Sequence, residues 1–198
     1  MNRTRKNTGF SLIELLITMV LLIVLVVIAN SRSGRSFQQE KLAICNRNLQ
    51  SMYVAFSLYK NEKSTYPQLA GAQTSEPVLS QLVPKYTTMT EYFICPGTKA
   101  APLPQGKPFA GQVIDYACYT GWSGNNTVPL ATDRQVNSNP KRSAELIFSL
   151  DGKGDGSNHN KFGGNVLMSD GSVFFSPARL KVELWFESPV MLLPPKPR

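Results

Sequence analysis

Residues 10–29 read FSLIELLITMVLLIVLVVIA, twenty positions with one charged side chain, Glu14. As an α-helix rising 1.5 Å per residue, such a run is roughly 30 Å long, the hydrocarbon thickness of a bilayer. In front of it stands MNRTRKNTG, which carries Arg3, Arg5 and Lys6 and no acid, +3 over residues 1–9. A basic start and an apolar run also describe a secretory signal peptide, but those apolar regions are about 7–15 residues and end at small residues of the Ala-x-Ala type. This run is longer and ends on Ala29-Asn30-Ser31. A retained membrane helix is the better reading. Arg32, Arg35 and Lys41 follow the span as closely as three bases precede it, so charge alone fixes no orientation.

The rest of the composition narrows the function classes. The chain has 198 residues, 17% of them charged, with 21 Lys+Arg against 13 Asp+Glu for a net charge of +8. A charged fraction below the usual ~25% argues against a disordered polyelectrolyte, and the length suits one domain with an appendage. One His and three Cys are only the four soft ligands a structural zinc centre takes, with none to spare, and no such centre is expected. Nucleophile–His catalysis would rest on His159 alone. Composition therefore points away from an enzyme.

The apolar pattern continues beyond the span. Leu42, Cys45, Leu49, Met52, Phe56 and Tyr59 recur at steps of 3 and 4, one face of a helix. Gly34 and the neighbouring serines are weak helix formers between the two halves. A helix running through them from residue 11 to 61 would be on the order of 75 Å long. After Tyr66-Pro67, short apolar segments alternate with turn formers. Strands are predicted at Tyr92–Ile94, Val113–Tyr119, Glu145–Leu150, Asn165–Met168 and Val173–Phe175, with Asp170-Gly171 as a type I′ hairpin turn between the last two. Residues 121–139 show no period and read as loop. The tail from Leu193, rich in proline, reads as frayed.

A carboxylate inside an apolar span is costly and usually has a partner or a function. Gly9-Phe10-Ser11-Leu12-Ile13-Glu14, after a basic leader and before an unbroken apolar helix, resembles the cleavage and methylation signal of type IV pilins and type II secretion pseudopilins. The resemblance implies that a prepilin peptidase cuts between Gly9 and Phe10 and that Phe10 becomes the N-methylated N-terminus. It further implies that Glu14 meets the terminal amine of a neighbouring subunit during filament assembly. Removing the leader takes the charge from +8 to 8 − 3 = +5. The stretch Leu58–Glu62, Tyr66-Pro67 and Leu82–Tyr86 is similar to the region after the helix in major pseudopilins, and Phe93-Ile94-Cys95-Pro96 to related prepilin-like proteins. His159 to Gly171 resembles the H-x9-D-G pattern of prepilin-processing-associated domains, with a gap of ten rather than nine residues.

The expected fold is α+β and pilin-like, a long N-terminal helix whose first half spans a membrane and whose second half packs on a small antiparallel β-sheet head. The expected division is a cleaved leader (1–9), a transmembrane half-helix (10–30), an amphipathic half-helix (31–62), a β-rich head (63–188) and a Pro-rich tail (189–198). The expected function is that of a structural, non-catalytic subunit of a type II secretion pseudopilus or a type IV pilus. It would be a single-pass protein of the bacterial inner membrane, with its head in the periplasm or on the cell surface. Its partners would be the peptidase, copies of itself, other pilins or pseudopilins in a helical filament, and the secretion or pilus assembly platform.

Three further chemical readings remain. A Cys95–Cys118 disulfide is permitted in an exported head, against two buried thiols, while Cys45 reads as core packing. Asp151-Gly152-Lys153-Gly154-Asp155 is oxygen-rich and glycine-rich, and major pseudopilins bind calcium in a head loop. Asp151 and Asp155 are thus the calcium candidates, although such residues also make ordinary turns. No other cofactor is expected. A DNA-binding minor pilin is the alternative function, resting on bases such as Lys141 and Arg142. The basic residues are scattered and no nucleic-acid partner is expected. A tethered enzyme using His159 and Asp170 is the weakest reading.

Overall fold

The computed structural model describes residues 11–121, 127–136, 145–179 and 191–197, with the backbone only for 30–36. The chain divides into two compact units, Met1–Phe37 and Gln38–Arg198. Helix α1 spans Leu12–Lys63, so Gly34 and its serine neighbours are accommodated within a helix. In the first unit, Leu12–Ala29 is long and apolar enough to cross a membrane and none of it is buried.

Among the described residues, the second unit holds the C-terminal part of α1, a short α2 (Ser75–Leu79) and five strands. The strands are β1 (Tyr116–Thr120), β2 (Pro129–Asp133), β3 (Gly164–Met168), β4 (Val173–Ser176) and β5 (Met191–Leu193). They form one sheet in the order β4-β3-β2-β1-β5, with every neighbouring pair antiparallel. This is the expected α+β, pilin-like layout.

The helical stripe does what its spacing predicts. Cys45, Leu49, Met52 and Phe56 are at most 1% exposed and share one apolar cluster with Tyr116, Cys118, Leu130, Leu167 and Leu193 of the sheet. Burying a side chain such as Leu49 or Phe56 contributes about 1.5–3 kcal/mol. The alternate residues of β1, Ala117 and Tyr119, join Leu192 in a separate cluster, and Val166 and Met168 of β3 pack with Ile147 and Phe148. Both faces are therefore covered, which removes the polar–apolar alternation that a half-exposed sheet would print in the sequence.

Several predicted elements need correction. Tyr92–Ile94 is not a strand: Thr90–Phe93 winds into a 3₁₀ turn, its end closed by Ile94 N–H donating to Glu91 O at 3.1 Å. Residues 145–150 make isolated bonds, Val136 N–H to Ile147 O at 2.9 Å and Ser149 N–H to Gly156 O at 3.1 Å, and no extended ladder. The supposed loop at 121–139 contains β2, hidden by Pro129 at its start and by the bulge between Pro129 and Ala131. The tail is tied down, since β5 pairs with β1, Ser75 N–H donates to Pro194 O at 2.9 Å and Lys196 N–H to Glu76 Oε1 at 2.7 Å. The β3–β4 turn is also not type I′, because Gly171 (φ +88°) has a positive φ and Asp170 does not.

Candidate functional site

Ser11 precedes α1, and its carbonyl accepts the Glu14 N–H at 3.0 Å and the Leu15 N–H at 3.2 Å. Glu14 thus lies in the first turn, where a carboxylate is favoured by the helix dipole. The large apolar side chains from Leu12 to Ile28 are between 46% and 82% exposed. The proposed cleavage and methylation positions, Gly9 and Phe10, lie outside the described residues, as do Lys141 and Arg142.

Residues 4–30 match the family described as the prokaryotic N-terminal methylation motif. The chain's N-terminal segment is that of a prepilin-like protein. No curated protein and no solved structure matches the chain. The motif implies a prepilin of the pilin or pseudopilin type, processed by a prepilin peptidase and assembling with pilin-type subunits. Together with the apolar Leu12–Ala29 segment, it marks a membrane-anchored protein.

The second unit contains a further constellation, which the sequence did not reveal. Cys45, Cys95, Asp133 and His159 are all buried, and one ligand-capable atom from each lies within 4.8 Å of the others. The Cys45 and Cys95 sulfurs are 2.9 Å apart, the Cys95 sulfur is 3.4 Å from His159 Nε2, and His159 Nε2 is 3.4 Å from Asp133 Oδ2. The four come from α1, the segment after the Thr90–Phe93 turn, the end of β2 and the loop before the Asn160–Phe162 turn.

Each is positioned by its surroundings. One turn beyond Cys45, Asn48 Nδ2 donates to Ile94 O at 3.2 Å and to the Tyr116 hydroxyl at 3.3 Å, which registers α1 against the Cys95 segment. Asp115 Oδ2 accepts Cys95 N–H at 2.9 Å and the Thr98 hydroxyl at 2.7 Å. Asp133 Oδ2 accepts Asn165 N–H at 2.8 Å and Asn165 Nδ2 at 3.2 Å. Asp133 Oδ1 and His159 Nδ1 are buried without a hydrogen-bond partner.

The electrostatics are strongly coupled. Burial, then the bond to Cys95, pushes the Cys45 thiol far up. Burial works against a Cys95 thiolate too, but the hydrogen bonds with Cys45 and His159 outweigh it and bring that thiol down to about 7. For His159, burial disfavours the charge, and the Asp133 carboxylate and Cys95 overcome it, raising the imidazole to about 10.

The expected Cys95–Cys118 disulfide is not made, and all three cysteines are free. Cys118 sits mid-strand opposite Ala131 and Leu193 in apolar surroundings, while α1 delivers Cys45 to Cys95. The calcium candidates are used separately. Asp151 Oδ1 accepts the Ser149 hydroxyl at 2.8 Å and Lys153 N–H at 3.0 Å within its own turn, whereas Asp155 lies 3.5 Å from Arg134. His159 and Asp170 are not partners, because the Asp170 carboxylate accepts Ser172 N–H at 2.9 Å and its hydroxyl at 2.6 Å. The missed site has one recoverable signal, the Cys95-Pro96-Gly97 turn. Counting only His and Cys as ligands leaves out the carboxylate of Asp133.

Proposed function

We propose that this chain is a structural, non-catalytic subunit of a pilus or pseudopilus filament. In this reading it is cut after Gly9, N-methylated on Phe10 and inserted once in the inner membrane, with its head on the periplasmic or outer side. The observation that carries it is the methylation motif at residues 4–30, which runs into the apolar, exposed helix segment Leu12–Ala29. Apolar all round, that segment needs lipid before assembly and neighbouring helices after it.

Glu14 would fix the register. An ammonium at the new N-terminus and a carboxylate four residues on both lie in an apolar setting, and each is costly alone. Bringing the amine of one subunit to the Glu14 of another satisfies both, and only one axial offset between packed helices allows it. The type IV pilus and the type II secretion pseudopilus both build on this principle, and the assembly platform would supply the force.

The test is co-expression with a prepilin peptidase and intact-mass measurement of the product. The expected mass is that of residues 10–198 plus one methyl group. Glu14→Ala should be cleaved normally yet fail to enter sheared filaments. Retention of residues 1–9 would overturn the reading.

A further inference from the structure

The buried Cys45–Cys95–Asp133–His159 cluster has the donor set of a metal centre rather than of a hydrophobic core. Its four residues are at most 1% exposed, and they converge from four separate stretches of chain. Packing alone gives no reason to gather two sulfurs, an imidazole and a carboxylate around one point. An Asp–His ion pair explains two of the four and leaves Asp133 Oδ1 orphaned, which is costly for a buried carboxylate.

We propose that Cys45, Cys95, Asp133 and His159 bind a tetrahedrally coordinated divalent metal ion of the zinc class, with a structural role in the head. With Zn–S near 2.3 Å and Zn–N or Zn–O near 2.0–2.1 Å, the edges of such a tetrahedron run roughly 3.3–3.8 Å. The Cys95–His159 and His159–Asp133 edges are already 3.4 Å. The two sulfurs, at 2.9 Å, would part by about 0.9 Å to reach their edge. Two sulfurs and a nitrogen exclude calcium and magnesium, which take oxygen ligands in larger numbers.

The surroundings support the assignment. Gly97 N–H donates to the Cys95 sulfur at 3.2 Å, which favours a thiolate. A Cβ on Gly97 would stand 2.1 Å from Asn158 O, so only glycine lets the Cys95 turn approach the strand of chain that carries His159. Asn165 holds Asp133 by two hydrogen bonds, the kind of outer partner that orients a ligating carboxylate. Uptake of the ion displaces to solvent the protons held by the Cys45 and Cys95 sulfurs and by His159 Nε2, and metal–sulfur and metal–nitrogen bonds take their place. The ion would then fasten α1 to the sheet.

The test uses the full chain in detergent, purified under reducing conditions without chelator, with metal content measured by mass spectrometry. One zinc per chain retained through dialysis is expected. Cobalt(II) added to metal-free protein should give a sulfur-to-metal charge-transfer band and strong visible bands of a tetrahedral site, at one equivalent. Cys45→Ser and His159→Gln should weaken zinc binding at least tenfold, and Cys118→Ala should leave it unchanged. The cobalt spectrum of the unaltered chain decides the matter even if those variants misfold. Absence of that spectrum with reduced thiols, equal loss in Cys118→Ala, or a Cys45–Cys95 disulfide in protein isolated from cells would overturn the proposal.

Discussion

Asn165 of β3 donates through Nδ2 to the carbonyl of Leu42 in α1 at 3.0 Å, and the same amide reaches Asp133 Oδ2 at 3.2 Å. One side chain therefore joins the helix, two neighbouring strands and the buried carboxylate. Its own backbone N–H also bonds Asp133 Oδ2, so the carboxylate is held whether or not the amide is present.

Asn165→Ala should lower the unfolding free energy of the head by about 1–3 kcal/mol, since a hydrogen bond to a buried charge is lost and the Leu42 contact goes with it. Denaturant unfolding of the full chain in detergent, followed by tyrosine and tryptophan fluorescence, measures this. A change below about 0.5 kcal/mol, the level of ordinary surface substitutions, would show that the amide does not tie the helix to the sheet.

Gly171 closes the β3–β4 hairpin against Tyr53 of α1. Its φ is +88°, and a Cβ there would fall 2.7 Å from the Tyr53 ring. Gly171→Ala should destabilise by about 1–3 kcal/mol, combining backbone strain with the clash. The two parts separate in a double-mutant cycle with Tyr53→Ala, which removes the ring but not the strain. The cost of Gly171→Ala should shrink in that background without vanishing. An unchanged cost would assign all of it to the backbone.

What the sequence disclosed follows from which physical signals are local. The apolar run and Glu14 are contiguous, and the α1 stripe repeats at helical spacing, so both could be read directly. The Ser169–Ser172 hairpin is visible because Asp-Gly is a turn former, though not its type, since Asp170 does not take the positive φ that a type I′ turn needs. β2 was lost because Pro129, Ala131 and Asp133 are poor strand formers made tenable by a sheet covered on both faces. With β2 went Asp133, and with Asp133 the buried cluster, whose Cys95–His159 contact alone spans 64 residues of chain. No spacing rule encodes a site that exists only after α1 has docked.

Glu62 at the end of α1 pairs with Lys85 and, at 3.3 Å, with Lys63. The Lys85 ammonium first, then the Tyr86 hydroxyl, hold its carboxyl down to about 2 from the usual 4.5. A depressed folded value means that its contribution to stability is fully present above pH 4.5 and fades as pH falls toward 2. The pair is exposed and screened, so the contribution is small. Carbon-detected NMR titration should place the Glu62 midpoint well below 4.5 and return it toward 4.5 in Lys85→Ala or in high salt. A midpoint of 4.5 in the unaltered chain at low salt would show that the ion pair does not persist in solution.

The C-terminal segment gives the last prediction. Leu192 and Leu193 are at most 3% exposed, and β5 covers the edge of β1 in register, with Cys118 opposite Leu193 and Thr120 opposite Met191. Beyond it, Arg134 donates to Lys196 O at 2.9 Å. Ending the chain after residue 190 would remove two buried leucines, each worth about 1.5–3 kcal/mol, and leave the β1 edge unpaired. An unpaired hydrophobic edge templates association, so the truncated protein should show a lower thermal midpoint and form larger species than the full chain in the same detergent. Ending it after residue 196 keeps β5 and the Ser75–Pro194 bond and should change neither. If the truncation after residue 190 behaved like the full chain by thermal melting and light scattering, the tail would be an ornament of the head rather than its fifth strand.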